Sequence, residues 1–374
     1  MVMQKKSVMP RHRLLPLVVT LVVLALPGYS LVQSAGAGTT STVHQVPTSI
    51  DRTGATDVSS AINAFIASVP DGSTIVFPAS SRYRIEGAVL VGARHNLVIN
   101  GSGATFFATT NGSTAKPAGP NAVQQHWPRH RDQWLVYDSS NITVRNLVIH
   151  GPNPNGGTAD NAYVLAYEAQ AGFEFYDTTN SLLENCTISY TYGDLVYVGN
   201  RASKDVVRGC HLSSSGRQGV TVAYATSIVI DHNTLTSIRR SAIDLEPFTA
   251  SWGVSNVWVV YNTFKWIRLD TIAAKAQGDV SQIVIAYNKL TSEPLSIRNT
   301  PDAVVTPPRH DWYVIDNVSD TMFGSPHGVY WITYTKNVTV TGNFQPLQAG
   351  RGQIAVQSTG STNVQVSGNQ FPEI

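Results

Sequence analysis

Residues 243–247 read Ile-Asp-Leu-Glu-Pro. Side chains alternate along an extended strand, so Ile243 and Leu245 take one face and Asp244 and Glu246 the other. Two carboxylates at i and i+2 stand about 7 Å apart. An inverting glycosidase uses a pair about 6.5–9.5 Å apart: one carboxylic acid protonates the leaving oxygen and the other carboxylate activates water. Lys275 and Arg298 follow in similar strands. A carboxylate pair beside Lys and Arg also suits β-elimination on a uronic-acid polymer. There the carboxylates, with Ca²⁺, hold the substrate acid, and a Lys or Arg takes the proton α to it. Only 13% of the 374 residues are charged, against about 25% in a typical soluble domain, so such a concentration is informative. Its bland counterpart is a solvated face whose charges pair, Glu246 with Lys275 for example, worth up to about 1 kcal/mol.

The strands that position these residues recur. WLVYD from Trp134, FEFYD from Phe173, VYVGN from Val196, VTVAY from Val220, IDLEP from Ile243, IAAKA from Ile272, LSIRN from Leu295, VYWIT from Val329 and IAVQS from Ile354 all alternate. Their apolar positions leave an outward column of Glu174, Tyr197, Thr221, Asp244, Ala273, Ser296 and Tyr330. Beside it runs a second: Tyr176, Gly199, Ala223, Glu246, Lys275, Arg298 and Ile332. The preceding turns add Asp194, Arg217, Gln218, Arg240, Asp270, Glu293 and His327. Tyr197, Tyr330, Tyr176 and Trp252 offer flat apolar faces on which a sugar ring could stack.

Each strand is followed by a nine-residue unit: NITVRNLVI from Asn141, NSLLENCTI from Asn180, KDVVRGCHL from Lys204, SIVIDHNTL from Ser227, NVWVVYNTF from Asn256, QIVIAYNKL from Gln282, NVTVTGNFQ from Asn337 and NVQVSGNQF from Asn363. A degenerate copy, DWYVIDNVS, starts at Asp311. Each unit is a short strand, a tight turn and a second short strand. Three short strands per repeat is the arithmetic of a parallel β-helix coil, which buries its apolar face only by stacking on its neighbours, about 4.8 Å away. The seventh position of the unit holds Leu147, Cys186, Cys210, Asn233, Asn262, Asn288, Asn317, Asn343 and Asn369. Asn tolerates the left-handed backbone and bonds its neighbours at turns, so this column is expected to be an asparagine ladder at a sharp turn. Cys186 and Cys210 are read as small buried core residues, with a disulfide as the alternative.

This pattern resembles the pectate-lyase-like right-handed β-helix superfamily of pectate lyases, polygalacturonases, alginate epimerases and phage tailspikes. The opening is similar to that superfamily's N-terminal cap: D-x-T-G-A-T-D from Asp51, a helix between Asp57 and Val69, then D-G-S-T-I-V-F-P from Asp71. Thr56 or Asp57 can cap the helix. Ala61, Ile62, Phe65, Ile66 and Val69 form its apolar stripe, and Pro70-Asp71-Gly72 stops it. The resemblance implies an all-β, single-stranded right-handed parallel β-helix over 51–374, capped at 51–73, with about nine to eleven coils. Its strands are named PB1, PB2 and PB3 in order, and VYVGN, IDLEP and their equivalents are PB1. In the resembling enzymes the substrate groove runs along PB1.

The resemblance therefore implies a polysaccharide-cleaving lyase or hydrolase, with Asp244, Glu246, Lys275 and Arg298 as catalytic candidates. Glu174, Tyr197, Arg217, Asp270, Tyr330 and Trp252 would bind substrate. The alternative is a non-catalytic glycan-binding or cell-surface scaffold. The polygalacturonase motifs (a paired Asp, Gly-His-Gly and Arg-Ile-Lys) are absent. Ile230-Asp231-His232 looks like part of the pectate lyase W-I-D-H motif, but Val229 stands in the Trp position and the stretch is one copy of the repeat. Two loops break the regular coil, at about 111–131 (with His126, Trp127, Arg129 and His130) and 151–172. Long loops on one side of a solenoid usually serve a binding face.

The first 37 residues read as an export signal: Lys5, Lys6, Arg11 and Arg13, a long apolar run, then Ala35-Gly36-Ala37 as a cleavage site. Left uncleaved, the run would anchor the chain in the membrane; either way the rest lies outside the cytoplasm. Residues 38–50 read as a linker. The leader carries four of the 26 basic and none of the 24 acidic residues, leaving 22 against 24. Nothing in that balance suggests a nucleic-acid partner; the partner that the resemblance implies is a polysaccharide, acidic on the lyase reading. Two cysteines make neither a disulfide framework nor a zinc site.

Overall fold

The computed structural model describes residues 41–111, 131–274, 277–291, 297–299, 309–319, 330–344 and 356–370; at 297–299, 331 and 357 it describes backbone alone. The leader and the 112–130 stretch lie outside the described residues. Among those described, no helix is long and apolar enough to cross a membrane.

The chain is an all-β right-handed parallel solenoid of about ten turns. Every strand pairs in parallel with its equivalent one coil on. PB1 runs through Phe173–Tyr176, Val196–Gly199, Val220–Ala223 and Ile243–Leu245 in unbroken register. PB2 stacks Leu182–Glu184 on Val206–Arg208 and that on Val229–Asp231. PB3 stacks Thr187–Ser189, His211–Ser213 and Thr234–Thr236. The inward residues form fully buried files, such as Phe173, Val196, Val220, Ile243, Ile272 and Tyr330. These apolar files are what hold a coil that cannot bury its own face.

The nine-residue unit has a backbone reason. Its first position has positive φ at Asn141, Asn180, Lys204, Ser227, Asn256, Gln282, Asp311, Asn337 and Asn363. Its sixth does so at Asn146, Asn185, Gly209, His232, Tyr261, Tyr287, Asp316, Gly342 and Gly368. The left-handed turn therefore falls one residue before the seventh-position column. The ladder Asn are interior: Asn262 Nδ2 donates to Asn288 Oδ1 (3.1 Å) and to the Ile230 carbonyl (2.8 Å), and its own Oδ1 accepts from the Asn233 amide (2.9 Å). The file runs to Asn369, and at its other end Asn233 Oδ1 accepts the Cys210 amide at 2.9 Å. Cys186 and Cys210 continue it as buried free thiols, with no disulfide.

The cap forms as the sequence indicates, with three adjustments. The helix is Ser59–Ser68, and Asp57 accepts the Ser59 amide at 3.0 Å without being its N-cap residue. Ile62 and Ile66 are buried, while Ala61 is exposed. Arg94 donates to the Ile66 and Val69 carbonyls and pairs with Asp71 at 2.7 Å, satisfying the helix C-terminus. Val43–Gln45, inside the stretch read as a linker, is a strand pairing with Thr74–Val76.

Candidate functional site

The PB1 register places Glu174, Tyr197, Thr221, Asp244 and Ala273 in one outward file, as the alternation indicates. Farther on the file differs. Ile297 pairs with Tyr330 and Ala273 with Arg298. Arg298 thus stands in the file of Asp244, not of Glu246. Tyr330 points inward and is fully buried, so it is core and not a sugar platform; Trp331 pairs in register with Arg298. Val329-Tyr330-Trp331-Ile332 is apolar throughout, so alternation alone could not tell its two faces apart. Lys275 lies outside the described residues.

What surrounds Asp244 is a polar cluster built from three consecutive turns and one loop. Asp194 leads into the Val196 strand, Arg217 and Gln218 into the Val220 strand, and Arg240 and Ser241 into the Ile243 strand. Arg217 is the centre. Its Nη1 meets Asp194 Oδ2 at 2.9 Å, its Nη2 meets Glu246 Oε2 at 2.7 Å, and its Nε lies 3.7 Å from Glu168 Oε2. Gln218 ties the turns together: its amide N–H donates to Asp194 Oδ1 (3.0 Å), its Nε2 donates to Asp244 Oδ2, and its Oε1 accepts from the Ser241 amide (2.7 Å). Glu246 therefore pairs with Arg217 behind it; the pairing with Lys275 ahead that sequence spacing suggests lies outside the described residues.

The 151–172 loop supplies a wall. Asn153 bonds the Ala162 and Thr191 carbonyls (2.9 and 3.0 Å). Asp160 reaches Arg239 at 3.0 Å and Arg268 at 2.8 Å, on successive coils. The Tyr163 hydroxyl donates to Glu168, and Arg240 lies over the Tyr163 ring at 5.7 Å. Sequence reading marked the loop but not Glu168 or Tyr163, because nothing in a loop's composition says which coils it will lie across.

Electrostatics separate the two carboxyls. Burial, then the neighbouring Glu246 charge, pushes the Asp244 carboxyl well above the usual range. Glu246 is also raised by burial, but the Arg217 guanidinium opposes that shift. Asp244 is 6% exposed, whereas the Glu246 side chain is 23% exposed, so the proton resides on Asp244. Burial works against the Arg217 charge, yet Asp194 and Glu246 more than offset it and hold the guanidinium firmly cationic. Tyr197 is driven well above an ordinary phenol by burial and by the Glu174 charge. Its ring lies over Gly199, where an added Cβ would come within 2.6 Å of it.

The remaining candidates divide. Glu174 is buried within the cluster's field. Asp270 is half-buried and its carbonyl accepts the Ala242 amide at 3.1 Å. Trp252 stacks on Tyr224 at 5.3 Å and meets Phe248 edge-on at 5.9 Å, so its ring packs at the PB1–PB2 corner. Asp231 and His232 lie away on PB2 and its turn, with Asp231 held bidentately by Arg208 at 2.9 Å and His232 stacked on Tyr261. No group of three or more His, Cys, Asp or Glu among the described residues is arranged to hold a metal ion. The carboxylates near Asp244 are turned onto Arg217, so the Ca²⁺ of lyase chemistry does not fit this cluster.

Residues 96–268 match the family described as "Right handed beta helix region". A search of curated protein sequences finds no significant match. Among solved structures, the chain is similar to the family 28 exopolygalacturonase of Yersinia enterocolitica, with a TM-score of 0.59, 12% identity, and 88% of this chain and 79% of that one covered. It is also similar to a DFA-IIIase from Arthrobacter chlorophenolicus A6, at TM-score 0.56 and 12% identity, covering 89% and 99%. The endo-xylogalacturonan hydrolase of Aspergillus tubingensis follows at TM-score 0.55 and 12% identity, covering 88% and 95%. At these identities the likeness is one of fold.

Proposed function

We propose that the chain is an exported glycoside hydrolase that cleaves a polysaccharide on its PB1 face, with Asp244 as general acid and Glu246 as general base. One observation carries the reading: two carboxyls at i and i+2 sit on one face and are pushed up unequally, the deeper Asp244 well above its ordinary value and Glu246 held back by its Arg217 partner. Finding such a pair assigns the acid and the base. Asp244 gives its proton to the glycosidic oxygen as the bond to the anomeric carbon breaks. Glu246 takes a proton from water as the water oxygen bonds to that carbon. Arg217 opposes the rise at Glu246 and fixes its direction, and Gln218 Nε2 fixes the direction of Asp244. The polysaccharide enzymes that share the fold support the substrate class, and the basic, apolar and small-residue leader supports export.

The test is release of reducing ends from a polysaccharide panel by the wild type, Asp244→Asn and Glu246→Gln. Both amides keep size and most hydrogen bonds. Loss of a general acid or base costs about 10²–10⁴ in rate. Unchanged turnover in both variants would remove the site. The depth of Asp244 favours a second reading, a scaffold that binds glycan without cutting it. On that reading the wild type releases nothing and both variants weaken glycan retention.

A further inference from the structure

We infer that the sugar seated over Asp244 and Glu246 carries no carboxylate: the substrate is a neutral glycan, not a polyuronate. The inference rests on the reading of this cluster as the active site and adds the chemistry of what it receives. Five carboxyl groups converge there, Glu168, Glu174, Asp194, Asp244 and Glu246. Even with Asp244 neutral, four anions face two described cations. Both cations are engaged. Arg217 is in contact with Asp194, Glu246 and Glu168 at once, and Arg240 lies over Tyr163. A substrate carboxylate entering would meet like charge at short range and would have to break a buried ion pair to win a cation.

The second observation concerns Thr221, which stands between Tyr197 and Asp244 in the outward file. It is fully buried and its hydroxyl has no hydrogen-bond partner among the described residues. A buried unpaired hydroxyl is costly to the fold. Its chemistry is that of a neutral donor and acceptor, so it brings no cation to the file. Asp244, holding its proton, adds a neutral donor on the same file. The file is thus equipped to bond hydroxyls and repel anions.

The experiment measures binding and cleavage by the purified chain on matched polymers. Polygalacturonate and alginate are compared with their carboxyl-reduced forms, which differ only in the acid group, and with neutral glucans, galactans and fructans. The expected result is that a neutral member is bound at least about tenfold more tightly than every uronate. Wild-type cleavage of that member, abolished in Asp244→Asn, supports both this inference and the hydrolase reading. Neutral binding without cleavage supports the sugar class and sinks the hydrolase. Uronate binding as strong as or stronger than that of any neutral member, or binding of no glycan at all, overturns the inference.

Discussion

At the scale of residues, the cluster exchanges stability for poise. Asp244 is buried and its folded-state pKa lies above its unfolded value near 4. The sign follows: the folded state binds the extra proton, so stability is lost as pH rises from about 4 toward the folded value. Asp244→Asn removes that loss. Its melting temperature is expected to exceed the wild type's at pH 7 and to converge with it near pH 4, by calorimetry. Activity should fall on the acid side as Glu246 takes a proton and on the alkaline side as Asp244 loses one. Both limbs lie above the values of free carboxylic acids, since both groups are raised. The pairing of Asp244 with Glu246 was legible because Ile243 and Leu245 are plainly apolar. Arg217 as hub was not, because a turn residue has no face to read. Tyr330 was misplaced for the same kind of reason: in an apolar strand the period-two signal vanishes.

At the scale of elements, the turns and the ladder define the coil. Asn288 serves three neighbours: it donates to Asn317 and to the Val259 carbonyl and accepts twice from Asn262. Asn288→Ala strands several buried polar atoms, each worth about 1–3 kcal/mol. Denaturant melts should show a loss of at least about 3 kcal/mol; a loss below about 1 kcal/mol would mean the ladder is incidental. Lys204 tests the opposite case. It is exposed at φ 58°, a conformation costing a non-glycine residue about 1–2 kcal/mol. Lys204→Gly should therefore stabilise by about 1 kcal/mol in the same melts. The nine-residue period announced these elements. The seventh position looked like the turn because Asn so often is one, while the turn proper sits at position six, where Tyr261 and Tyr287 disguise it.

At the scale of the whole molecule, each coil touches chiefly its neighbours; coil count and parallel register were legible from the repeat, and the cap from the opening segment's resemblance. The loop across the coils was not, since only the folded stack brings Asp160 to Arg239 and Arg268. Cys186 and Cys210 report on the stack: native protein should show no reactive thiol, and complete unfolding should release two together, read by thiol titration. One thiol reacting before the other would mean the stack opens from one end.

The wall formed by the 151–172 loop is pinned differently from everything beneath it. The coils are joined by buried apolar files and backbone bonds, to which dissolved ions are nearly indifferent. The wall's outer anchor is Asp160, whose side chain is 77% exposed where it meets two arginines. Ionic strength screens such pairs over about 10 Å at 0.1 M and about 3 Å at 1 M. Brine should therefore loosen the wall while leaving the solenoid's melting temperature in place. Protease nicking between Gly156 and Leu165 would rise with added salt. A sugar chain threaded beneath that wall would then leave sooner in seawater than in fresh.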